Sequence, residues 1–96
     1  MGKNIKITYL KRASKFLLKN SNLITESEVD NLMILAIKKK VYNLDVNLDI
    51  KDLKNNLKGK SRIRKGKIRI IFELLNGNII IETIVEDIDF RGNIYN

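Results

Sequence analysis

The chain opens on a strict alternation of apolar and polar residues. Ile5, Ile7 and Tyr9 fall on one side and Lys6 and Thr8 on the other, the period-two pattern of a half-buried strand. The period then changes. From Lys11 to Lys19 the apolar positions Ala13, Phe16 and Leu17 form one stripe, which predicts a short helix stopped by Asn20-Ser21-Asn22. A second helix is expected to start at Thr25, whose hydroxyl and Glu28 three residues on make a capping box, with Glu26, Glu28 and Asp30 at the positive end of the dipole. Along it Val29, Leu32, Met33, Ala36 and Ile37 keep helical spacing, so one side packs. Lys38, Lys39 and Lys40 suit the negative end; a nucleic-acid contact is the other reading of that run.

Past Tyr42 the segment "NLDVNLDIKDLKNNLKGK" scatters Leu48, Ile50, Leu53 and Leu57 among Asn, Asp and Gly. It reads as an irregular connection with room for a helical turn. Three strands are expected after it, Ser61 to Arg64, Lys67 to Leu74 and Asn78 to Glu86, with turns at Lys65-Gly66 and Asn76-Gly77. Ile79, Ile80, Ile81, Ile84 and Val85 make the last nearly continuous in apolar residues, as in a central strand covered on both faces. Strand, two helices and three further strands give one α+β domain over residues 1–96 with a mostly antiparallel sheet.

Charge changes the picture from fold to surface. Nineteen basic and eleven acidic side chains leave a net +8, and residues 54–69 hold eight of the basic ones (Lys54, Lys58, Lys60, Arg62, Arg64, Lys65, Lys67, Arg69) and no acid. The remaining chain is balanced, so the excess is a patch and its natural ligand is a polyanion such as nucleic acid. Strand periodicity sharpens this. Ile63 points one way and Arg62 and Arg64 the other; beyond the turn Ile68, Ile70 and Phe72 share one face and Lys67 and Arg69 the opposite one. Four cations thus converge on one side of a hairpin. Arginine is the side chain that grips phosphate with a planar fork, and four of the five arginines are Arg62, Arg64, Arg69 and Arg91.

The absences exclude chemistry. With no Cys and no His, disulfides, thiolate nucleophiles, zinc fingers and a histidine base are out. An apolar core of a signal peptide and a run of about 18 apolar residues are also missing, so a cytoplasmic location is expected. Glu86, Asp87 and Asp89 read as counter-ions of the arginines and not as a metal site.

The run from Asp49 to the end resembles the C-terminal half of the RelE/ParE superfamily of bacterial toxins. The resemblance is carried by a leucine-containing turn, then R-x-R-x-G, an Arg before a hydrophobic strand, and a late Arg and Tyr: here Leu57, Arg62, Arg64, Gly66, Arg69, Arg91 and Tyr95. Ile68 stands where an aromatic is usual, and Lys67 where an acid is common. The resemblance implies a RelE-like fold and one of two activities, cleavage of messenger RNA in the ribosomal A site or inhibition of DNA gyrase; a non-catalytic RNA-binding domain is a third possibility. It further implies an acidic antitoxin as partner, mRNA and the ribosome as targets, and operator DNA reached only through the antitoxin complex.

If the chain cuts RNA, the 2′-hydroxyl attacks its own phosphate and charge builds on the phosphorane. Arg62, Arg64 and Arg69 would stabilise that charge, while Lys54, Lys58, Lys60, Lys65 and Lys67 would bind RNA. Tyr95 has three roles open to it: proton transfer with a pKa lowered by the arginines, stacking on a base, or capping the core. Arg91 would bind phosphate, position Tyr95, or pair with Asp87 or Asp89. No metal or cofactor is called for.

Overall fold

The computed structural model describes residues 2–92. Strand β1 (Asn4–Tyr9) leads into helices α1 (Lys11–Lys19) and α2 (Glu26–Lys40). A long connection follows, then β2 (Ile50–Asp52), a 3₁₀ turn at Asn55–Leu57, and strands β3 (Lys60–Lys65), β4 (Ile68–Asn76) and β5 (Ile80–Phe90). The strands form one sheet in the order β1-β5-β4-β3-β2. All neighbours are antiparallel except β1, which runs parallel to β5.

The α+β class and both helices match the sequence pattern. At the start of α2 Thr25 and Glu28 form the expected reciprocal cap: the Glu28 N–H donates to the Thr25 hydroxyl and the Thr25 N–H to the Glu28 carboxylate. The five apolar positions of its stripe are all buried, with Ala13 and Phe16 of α1 beside them. They lie against a sheet face that carries an isoleucine row, Ile50, Ile63, Ile70 and Ile88, each opposite the next across β2, β3, β4 and β5. Burying four branched side chains in register contributes about 1.5–3 kcal/mol apiece at full burial.

Three expectations need correction. The connection before the basic hairpin contains a strand, β2, so the sheet has five strands. β5 is interior but only half covered: Ile81, Thr83, Val85 and Ile88 are buried under the helices, whereas Ile80 is 47% exposed. β5 also runs to Phe90, past the expected end at Glu86. The reason is a bulge. Ile71 pairs with Asp87 and Phe72 with Val85, which leaves Glu86 as an extra residue. Val85 and Ile88, three apart, would otherwise face opposite sides; the extra residue lets both face the core. At the hairpin tip Gly77 is required by contact, since a Cβ there would lie 2.8 Å from the Ile80 carbonyl oxygen.

Candidate nucleic-acid interface

The sheet face turned away from the helices collects the arginines. Arg62 lies opposite Lys51 on β2 and Ile71 on β4, and Arg64 lies opposite Arg69, which in turn faces Asp89. Two guanidinium groups on adjacent strands repel. They are tolerated because carboxylates flank the row, Asp89 beyond Arg69 and Asp49 beyond Arg64, whose N–H bonds the Asp49 carbonyl at 3.0 Å.

Asp49 is the counter-ion of the first pair. Its Oδ2 accepts from Arg64 Nε at 2.9 Å and its Oδ1 from Arg62 Nη1 at 3.3 Å. The Arg64 hydrogen bond, followed by the charges of both arginines, holds the Asp49 carboxyl below the usual range. Arg62 is 6% exposed, unusual for an arginine, and its Nε is buried without a hydrogen-bond partner among the described residues.

The second half of the interface is an open cleft of about 580 Å³ at the end of the sheet, lined by Lys67, Arg69, Phe90, Arg91 and Gly92. No carboxylate lines it among the described residues. The β3–β4 turn builds it: Gly66 takes φ 58 at the first central position, where a two-residue hairpin favours glycine. The Arg91 N–H then donates to the Lys67 carbonyl at 2.8 Å, tying the end of β5 to that turn. Phe90 is fixed from behind by Phe16, ring centroids 5.2 Å apart in an edge-to-face contact.

The basic run is thus divided. Arg62, Arg64 and Arg69 share a face as expected, but Lys67 is a turn residue and reaches Arg69 through the cleft, not along a strand. Lys65 faces the helix layer and pairs with Glu28 at 3.4 Å. Lys60 is held by Glu86 at 2.5 Å. Lys58 lines a different hollow with Lys40, Asp52 and Ser61 at the opposite end of β3, and Lys54 precedes the 3₁₀ turn. Tyr95 lies outside the described residues. Asp49 and Lys51 are the contributors that sequence reading missed, because their place is set by β2; the period-two pair Leu48 and Ile50 was the available signal.

Of the acids expected as counter-ions of the arginines, Asp87 pairs with Arg12 at 3.4 Å, whereas Glu86 pairs with Lys60. Burial pushes the Asp87 carboxyl up, against the pull of Arg12 and with the help of Asp89. A raised folded pKa means the native state binds the proton more tightly, so ionised Asp87 costs stability above that pKa, and the cost vanishes below the unfolded value near 3.9. Arg12 is 78% exposed and offsets little of it. Asp87→Asn is therefore expected to raise the melting temperature by roughly 2–5 °C at pH 7 and to leave it unchanged near pH 3. A lower melting temperature at pH 7 would show that the Arg12 contact outweighs burial.

By sequence, no protein-family model and no curated protein matches the chain. By structure, toxins match over nearly its whole length. A copper-bound mutant toxin from Helicobacter pylori is similar at TM-score 0.67 and 18% identity, over 94% of this chain and 98% of that one. YafQ from Escherichia coli BL21(DE3) is similar at TM-score 0.64 and 15% identity, over 97% and 100%. The RelB-RelE antitoxin-toxin complex from Methanococcus jannaschii is similar at TM-score 0.51 and 22% identity, over 92% and 94%. The fold is that of the RelE-like toxins. Among the described residues no helix is long and apolar enough to cross a membrane.

Proposed function

We propose that this chain is the toxin of a type II toxin-antitoxin pair and that it cleaves messenger RNA on the ribosome, in the cytoplasm. The observation that carries the reading is the cleft of Lys67, Arg69 and Arg91, set beside Phe90 on a RelE-like sheet. Three cations converging on one hollow favour a phosphodiester, and an aromatic edge suits an unstacked base. In the reaction the 2′-oxygen bonds to phosphorus, its proton passes to a base, and the 5′-oxygen leaves with a proton as a 2′,3′-cyclic phosphate forms. Arg69 and Arg91 stabilise the phosphorane, Arg62 and Arg64 hold a neighbouring phosphate, and Tyr95 moves a proton. Fold alone does not assign an activity, and primer extension on mRNA from cells expressing the protein decides it. Discrete cuts within codons are the expected result; intact mRNA with induced DNA damage would replace this reading with gyrase inhibition.

Solved neighbours include complexes described as RelB-RelE and DinJ-YafQ toxin-antitoxin pairs. An acidic antitoxin segment lying over Arg62, Arg64 and Arg69 is the matching partner here, by charge complementarity, with operator DNA reached only through that complex. Hydrogen exchange on the complex should then show new protection from Ser61 to Leu74. Protection confined to the helices would count against this placement.

A further inference from the structure

The two halves of the interface differ in one respect: the cleft has no carboxylate in its described lining, whereas the Arg62 and Arg64 pair already holds one. Asp49 presents both oxygens to two guanidinium groups, at 2.9 and 3.3 Å, the arrangement in which arginines hold a phosphate. The cations are placed by the sheet. Arg62 is buried on β3, its side chain 7% exposed, with Lys51 opposite it. The anion is more loosely placed, since the Asp49 side chain is 49% exposed and precedes the first residue of the edge strand β2. Its backbone is anchored by the Arg64 N–H, so the carboxylate can turn out to solvent about its side-chain torsions while the chain stays in place.

We infer that Asp49 is a built-in stand-in for an RNA phosphate: Arg62 and Arg64 form a phosphodiester subsite that the Asp49 carboxylate occupies in the free protein and that RNA must displace. The inference rests on the reading that RNA lies on this sheet face. Competition lowers RNA affinity, because a phosphate gains only the difference between its own contacts and those of Asp49. It also keeps two neighbouring arginines from repelling when no RNA is bound. A structural clamp has the opposite signature. If Asp49 only positions the arginines for RNA, removing its charge lets them splay and weakens binding.

The test is the affinity of the full chain for a labelled single-stranded RNA oligonucleotide with 2′-methoxy groups, which cannot be cleaved, measured by anisotropy across a KCl series. Asp49→Asn keeps the shape and an acceptor for Arg64 while removing the charge. It should tighten binding by about five- to tenfold at low salt, on the order expected for one like charge removed from beside a phosphate, and steepen the salt slope by about 0.7, one added phosphate contact on a single strand. Asp49→Ser, which is smaller, should do the same, and adding Arg64→Ala to either should abolish the gain. Unchanged or weaker binding in both Asp49 variants overturns the inference, as does absence of binding by wild type and variants alike. Primer extension with the same variants separates the two proposals: intact mRNA with the affinity gain sinks the nuclease reading alone, and cut mRNA without the gain sinks the stand-in alone.

Discussion

Arg69→Lys should slow single-turnover cleavage of ribosome-bound mRNA by about 10²- to 10³-fold while programmed ribosomes still bind within a few-fold of wild type. Arg69 joins the two halves of the interface. It lies opposite Arg64 in the sheet and lines the cleft with Lys67 and Arg91. Lysine keeps the charge, so the long-range attraction of RNA survives. What it loses is the planar fork that can meet two oxygens of a phosphorane at once. Its position inside β4 also makes the geometry strict, because the neighbouring strands leave the backbone no freedom to bring a shorter-reaching ammonium into place. A cleavage rate equal to wild type would remove Arg69 from the chemistry and leave it as a simple electrostatic contact.

Tyr95→Phe tests the proton. The chain has no histidine, and in the free protein Asp49 pairs with Arg62 and Arg64, Glu86 with Lys60 and Asp87 with Arg12. Tyr95 is the phenol put forward for proton transfer, because a positive field around a phenol favours the phenolate. Phenylalanine retains the ring and any stacking on a base. The expected result is near-normal ribosome binding with cleavage slower by at least about a hundredfold. If Tyr95 acts by stacking alone, the Phe variant will match wild type and the Ala variant will be impaired; that pattern would assign the proton to another group.

Legibility along the sequence followed how local each signal was. Both helices could be read from positions three and four apart and from a cap contained within Thr25 to Glu28, so nothing distant was needed. The face of the basic hairpin was also readable, because period two carries Arg62, Arg64 and Arg69 to one side without knowledge of the neighbouring strands. β2 was not. Three residues long and set among Asn and Asp, it is a strand because β3 lies beside it, and Asp49 meets Arg62 and Arg64 only through that pairing. The end of β5 was hidden for a different reason: Glu86 breaks the alternation, and Asp87-Ile88-Asp89 falls out of phase with what precedes it, a pattern that on paper ends a strand and in the sheet marks a bulge. The division of the lysines had no sequence signal, since the partners of Lys60 and Lys65 are Glu86 and Glu28, far away in the chain.

The parallel pairing of β1 with β5 sets a timetable for the molecule. Asn4 through Tyr9 find their partners at Ile80 through Val85 and, among the described residues, in no other strand, so β1 is synthesised well before the strand it needs. At about 5–20 residues per second that wait lasts several seconds. Through it the helices can form from nearby residues, but the Tyr9 side of the sheet stays open, and distant pairings of this kind are the slow ones. Birth of the finished domain is therefore gated by the arrival of β5.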